Sequence, residues 1–130
     1  MMGNTIHTEL TSNTTPERLY TTLMNSDEFT DATGAHAKID ACAGGAFSLF
    51  GGEIEGMTVE LVRNERIVQA WRANNWNAGE YSIVRFVLKD DGDQTLLVFD
   101  HIGFPEEYEE DLRGGWEEHY WSRLRNYLNN

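Results

Sequence analysis

The chain has 130 residues, a length that fits one domain able to bury roughly two-thirds of the surface its unfolded form exposes. Twenty-two acidic against ten basic side chains leave a net charge of −12. That excess repels phosphate backbones and anionic lipid, because affinity for both rests on Lys and Arg neutralising charge, so neither a nucleic-acid nor a membrane partner is expected.

Other global features point the same way. No stretch approaches the ~20 consecutive apolar residues of a membrane helix, and Met1–Thr5 lacks the pattern of a secretory leader. His7 stands where a myristoylation signal needs Ser or Thr. Cys42 is a lone cysteine, with no internal partner for a disulfide. A single cytoplasmic domain over residues 1–130 is therefore expected. Asn13-Thr14-Thr15 matches a glycosylation acceptor but matters only in a secreted chain.

In chain order, Asn4 to Leu10 alternates, with Ile6, Thr8 and Leu10 on one face, and predicts a strand. Thr14-Thr15-Pro16-Glu17 opens a helix in one of two registers. Thr14 with Glu17 makes a capping box, whereas Pro16 at the first helical position makes Thr15 the cap. Leu19, Tyr20, Leu23 and Met24 are its apolar stripe. A second short helix is expected from Ser26 to about Ala32, with Asp27 and Glu28 at its positive end.

From Ala35 to Ile102 the period becomes two. His36–Asp40, Ala46–Phe50, Met57–Val62, Arg66–Arg72, Tyr81–Lys89 and Thr95–Ile102 read as strands. The separators are short and turn-forming (Gly44-Gly45, Gly51-Gly52, Asp90-Asp91-Gly92-Asp93 among them), which predicts consecutive antiparallel hairpins. After Gly103-Phe104-Pro105, the acidic run Glu106–Asp111 reads as a solvated loop. It also has the charge to dock on a basic partner. Trp116, Tyr120, Leu124 and Tyr127, widened by Trp121 and Leu128, then predict a helix over about 113–128. A one-sided sheet must cover its apolar face, and this helix is the one element large enough. The expected fold is α+β: a curved antiparallel sheet wrapped round one long helix, a packing that tends to leave a cavity.

If that space is a binding cavity, Trp71, Trp76, Leu97, Phe99, Trp116 and Tyr120 are expected to wall it, with His101 its foremost polar group. The alternative is a filled core built from the same residues. His101 shares a face with Leu97 and Phe99. It is either a buried histidine bonded to a neighbouring carbonyl or hydroxyl, or a polar contact for a ligand, or a general base. Core packing is the default for each tryptophan, and Trp76, in the irregular Asn74–Gly79 segment and least explained by periodicity, has a pocket mouth or a partner surface as its alternative. His7, His36, His101 and His119 lack the spacing of a metal site. The glycines around positions 44–56 lack the Lys and the helix of a phosphate loop. No cofactor and no catalytic arrangement is predicted.

The residues Thr33-Gly34-Ala35, Gly44-Gly45-Ala46-Phe47-Ser48 and Gly51-Gly52-Glu53-Ile54-Glu55-Gly56 also form a recognisable series. It continues through Glu60-Leu61-Val62, Ile67-Val68-Gln69-Ala70-Trp71-Arg72, Trp76, Gly79, Tyr81-Ser82, Gly103-Phe104-Pro105, Gly115-Trp116 and Tyr120-Trp121. Over about residues 14–128 this series resembles the C-terminal homology domain of the activators of the 90-kDa heat-shock-protein ATPase. That family lies within the START and birch-pollen-allergen-like helix-grip superfamily. Arg63 stands where the family commonly has Pro.

The resemblance implies a helix-grip fold, a 90-kDa heat-shock chaperone as a partner, and a small apolar ligand as a candidate guest of the helix–sheet cavity. A ligand carrier with no chaperone role, and a cavity enzyme using His101, are the rival readings. Two-domain members carry an N-terminal domain that docks on the chaperone, and nothing in these residues corresponds to it. Weak or absent ATPase stimulation by this chain alone is therefore expected.

Overall fold

The first strand, β1 (Thr5–Ser12), turns Ile6, Thr8, Leu10 and Ser12 inward and leaves Thr5, His7, Glu9 and Thr11 outside. The structure is a computed structural model that describes residues 5–128; Asn4 and the Met1–Gly3 segment read above lie outside the described residues.

Pro16 decides the register of the next element, α1 (Pro16–Met24). It takes the first helical position, so Thr15 is the cap, and its Oγ1 accepts the backbone N–H of Arg18 at 3.1 Å. The helix α2 (Ser26–Thr33) follows and starts at Ser26, as expected. Its cap is Asn25 rather than Ser26: Asn25 Oδ1 accepts the N–H of Glu28 at 2.9 Å. The backbone N–H of the same residue closes α1 on Thr21 O at 2.8 Å. Ser26, freed from capping, accepts the N–H of Ile39 at 2.8 Å and so ties the helix to the sheet. Asn25→Ala is expected to cost about 1 kcal/mol, the usual loss for such a cap. In urea unfolding it should lower the midpoint with no change in slope.

The remaining strands are β2 (Lys38–Ile39), β3 (Ala46–Leu49), β4 (Ile54–Val62), β5 (Arg66–Ala73), β6 (Ser82–Asp91) and β7 (Gln94–Ile102). They form one antiparallel sheet in the order β1-β7-β6-β5-β4-β3-β2. The meander predicted from the turns is therefore present. Most strand ends shift by one or two residues, and two differences matter. β2 keeps two residues of the expected five, and β4 begins at Ile54 instead of Met57. The second difference comes from Gly56, which pairs with Trp71 inside the ladder. A Cβ there would stand 1.9 Å from Ala70 O and 2.7 Å from the Phe47 ring. Close strand approach, not a turn, demands that glycine. Further along β4 a bulge at Val59 breaks the register between Thr58 and Glu60.

The C-terminal helix runs in three joined segments: α3 (Glu109–Gly115), one π-helical turn (Trp116–Trp121) and α4 (Ser122–Leu128), preceded by a 3₁₀ turn at Glu106–Tyr108. It starts earlier than 113. The acidic run expected as a loop is helical, with Glu109, Glu110 and Asp111 at the positive end of α3, where the macrodipole favours carboxylates. The π turn widens the helix, so residues four and five beyond Trp116 both return to its face. Tyr120 lies 4.3 Å from the Trp116 ring, and Trp121 stacks on it at 5.6 Å.

This helix lies across the inner face of the sheet, where Trp116 meets Phe99 at 4.3 Å and stacks on Trp71 at 5.5 Å. Each fully buried large side chain of this kind contributes roughly 1.5–3 kcal/mol relative to exposure. The architecture is the expected helix grip. No element of the described residues covers the outer face, where Met57, Ala70, Ile83 and Ile102 pair across β4 to β7 as an apolar row that is exposed except at half-buried Ala70. Beside it Asp100 accepts from His7 at 2.6 Å and from Arg85 at 2.8 Å.

Candidate functional site

His101 is fully buried on β7, and its hydrogen bonds define one proton order. Trp116 Nε1–H donates to His101 Nδ1 at 3.0 Å. The Ser82 hydroxyl donates to the backbone carbonyl of Trp71 at 3.0 Å. Its oxygen must therefore accept the 2.7 Å contact with His101, which puts the imidazole proton on Nε2. The relay Trp116 → His101 → Ser82 → Trp71 carbonyl runs from the helix through β7 and β6 to β5 with every partner satisfied. Burial pushes the His101 pKa down to about 3, so the ring is neutral at pH 7. Of the readings open from sequence, the bonded buried histidine describes this geometry. Neither nitrogen is free to abstract a proton or meet a guest.

The open space lies beside this relay. A cleft of about 250 Å³ runs between the C-terminal helix and the Phe50–Ile54 turn. Trp71, Trp116, Tyr120, Phe50, Ile54 and Leu112 give it apolar walls, with Gly115 in the helix wall and Glu53, Asp111 and His119 at the mouth. The three mouth residues are exposed, and the indoles of Trp71 and Trp116 are about 3% exposed. Phe50 holds a left-handed backbone (φ 53) followed by Gly51 (φ 67) and Gly52 (φ 99). Only a tight reversal of this kind turns the chain into the cleft wall, and a bulky residue there carries strain.

One buried polar group at the cleft is unpaired. Trp71 Nε1 has no hydrogen-bond acceptor, although most buried donors have one. Burial pushes the Tyr120 pKa above the ordinary tyrosine value, and the nearby Trp71 indole opposes that rise. The phenol is thus protonated and beside the indole, without the geometry that would close a hydrogen bond.

Of the residues expected to wall a cavity, the structure brings Trp71, Trp116 and Tyr120 to the cleft. Leu97 and Phe99 are completely buried in the core behind it. Trp76 is buried between the Trp71 ring at 5.7 Å and the Tyr108 ring at 6.1 Å, where it closes one end of the core. Phe50, Ile54 and Leu112 were missed. Phe50 ends a predicted strand, Ile54 lay among glycines read as turn, and Leu112 sits next to an acidic run. Among the described residues, no cluster of three or more His, Cys, Asp or Glu is placed to hold a metal. No helix of the described residues is long and apolar enough to cross a membrane.

A family model described as "Activator of Hsp90 ATPase homolog 1-like protein" matches residues 13–129. The human "Activator of 90 kDa heat shock protein ATPase homolog 1" is 30% identical over 112 residues, covering 86% of this chain and 33% of that protein. The mouse "Activator of 90 kDa heat shock protein ATPase homolog 2" is 31% identical over 115 residues, covering 88% of this chain and 35% of that one. The chain thus spans about a third of the length of these curated relatives. Among solved structures, an Hsp90 activator from Plasmodium falciparum superposes with a TM-score of 0.87 at 27% identity, over 99% of this chain and 97% of its own.

Proposed function

This chain belongs to the Activator of Hsp90 ATPase homolog 1-like family, and from that premise we propose that it serves as a non-enzymatic partner of a 90-kDa heat-shock chaperone. The observation that carries this reading is the likeness to the Plasmodium falciparum Hsp90 activator, which runs over nearly the whole of both chains. Its relatives are named for raising another protein's ATPase, and the His101 relay leaves no nitrogen free for general-base chemistry.

The acidic turn from Glu106 to Asp111 is the feature suited to a basic patch on such a partner, although its first duty is to the dipole of α3. Binding of this chain to a purified 90-kDa chaperone should be measurable by calorimetry and should weaken as salt rises, since exposed charges are screened within about 8–10 Å at physiological ionic strength. ATPase stimulation at equimolar protein should be weak. Salt-insensitive binding would show that the acidic turn is not the contact, and absence of binding would remove the chaperone reading.

A second reading rests on the cleft, which has the apolar walls and few polar groups typical of small-molecule sites. We propose that it receives a small, largely apolar ligand.

A further inference from the structure

We infer that the outer face of the sheet binds the outer face of a second copy of this chain, forming a symmetric dimer held by its apolar row.

An antiparallel sheet with one face in water alternates apolar residues inward with polar ones outward. The outer face breaks that rule at its centre. Met57, Val59, Tyr81, Ile83 and Ile102 are the exposed large hydrophobics among the described residues, and all five lie on this face. Ile83 and Ile102 pair with each other across β6 and β7. The bulge between Thr58 and Glu60 adds Val59, so two successive residues of β4 are turned out to solvent. Scattered singly, such residues need no explanation; gathered on one face, they mark a contact surface. An open groove runs along the row, floored by Val68, Ile83 and Ile102.

The charge around the row decides which partner fits. Arg66 holds Glu60 at 2.7 Å, Arg85 holds Asp100 at 2.8 Å and Arg72 holds Glu55 at 3.1 Å. These three pairs border the row and cancel, so the net −12 is carried by the rest of the chain. Two copies that meet at an acidic part of their surface repel each other, and at this face they do not. A strongly charged partner of either sign gains little from arginines and carboxylates already paired with one another. A second copy brings the same neutral, apolar area.

The size of the face sets the strength. β4 to β7 are four strands of eight to ten residues, which at the usual spacing and rise make a patch of roughly 600 Å². Two such patches give about 1,200 Å², the lower end of what a specific interface buries. Because the patch is its own complement, the contact closes on two copies about a two-fold axis. The two sheets then stack as in a sandwich, about 10 Å apart.

The test is sedimentation equilibrium of the whole chain over a concentration series, with the methionine methyl signals followed by NMR. A monomer–dimer equilibrium is expected, with a dissociation constant on the order of 10–100 μM. The Met57 methyl signal should shift as the dimer forms, and that of buried Met24 should not. Raising the salt should tighten the dimer, because it screens the repulsion between two chains of −12. Ile83→Lys should weaken it at least about tenfold although it lowers the net charge. Glu118→Gln makes the same change in charge on an exposed residue of the C-terminal helix and should leave it unchanged. The Met57 signal keeps the test decisive even if Ile83→Lys does not fold. A monomer up to about 0.5 mM would leave the face to a different protein and overturn the inference. So would a dimer that leaves the Met57 signal in place, or one that Ile83→Lys forms as well as the wild type. Dissociation by salt would overturn it too, since ion pairs rather than the apolar row would then hold the copies.

Discussion

Trp116→Ala is expected to destabilise the protein by about 3–5 kcal/mol, the loss of a large aromatic from a filled core, even though this ring also lines the cleft. The cleft side removes few contacts. Phe99 and Tyr120 lie at 4.3 Å from the ring, and Trp71 and Trp121 stack on it at 5.5 and 5.6 Å. The truncation also takes the donor from His101 Nδ1, at 3.0 Å in the native chain. Urea unfolding of the variant measures this directly. A loss under about 2 kcal/mol would mean that the ring is packed on one side only, as beside a wide cavity.

His101→Leu should have the second largest effect, and its sign depends on pH. Near pH 7 the variant leaves the buried Trp116 Nε1–H without an acceptor, a cost of about 1–3 kcal/mol. In the wild type the histidine is neutral when folded, because burial lowers its pKa from 6.5 to about 3. Above pH 6.5 it is neutral in both states and titration contributes nothing. Between pH 6.5 and 3 the unfolded chain takes up a proton that the folded chain refuses, so stability falls as pH falls. The slope approaches about 1.4 kcal/mol per pH unit, or on the order of 4 kcal/mol across the window. The variant lacks this slope, so its deficit should shrink and then reverse on acidification.

Asp100 also contributes to acid sensitivity. Burial alone would raise its pKa, but the hydrogen bonds from His7 and Arg85 outweigh burial and hold it low. That contribution is common to both chains and cancels in the difference. Equal slopes in wild type and variant, measured by urea unfolding between pH 4 and pH 6, would contradict a neutral buried imidazole.

Much of the fold was legible because its strands alternate and its turns are short. Leu97, Phe99 and His101 lie on one face because side chains on a strand repeat every two residues, and no tertiary contact is needed to see it. Asn25 was less visible. Ser26 is an equally good cap in isolation, and the choice was made by the Ser26 bond to Ile39, thirteen residues away. The early start of β4 was hidden for a similar reason. A glycine required by a neighbouring strand looks like a glycine required by a turn until the Ala70 carbonyl is in place.

The site was half legible. Trp71, Trp116 and Tyr120 were found because periodicity puts them inward, and His101 was placed on the right face with its partners unknown. Its role turned on Ser82 and Trp116, nineteen and fifteen residues away in sequence. The other wall of the cleft comes from Phe50, whose left-handed backbone carries no sequence mark in a non-glycine residue. The π turn did leave a trace: Tyr120 and Trp121 are adjacent and both large, which a regular α-helix cannot turn equally inward.

The chain of tryptophans through the core has an optical consequence. Trp76, Trp71, Trp116 and Trp121 follow one another with ring centroids 5.7, 5.5 and 5.6 Å apart. At such separations excitation passes among indoles far faster than any of them emits, so the four form one chromophore, not four local reporters. Emission should be blue-shifted for the whole set, and near-ultraviolet circular dichroism should carry coupled bands that fall together on unfolding. A quencher touching Trp71 at the cleft would darken indoles that never meet it.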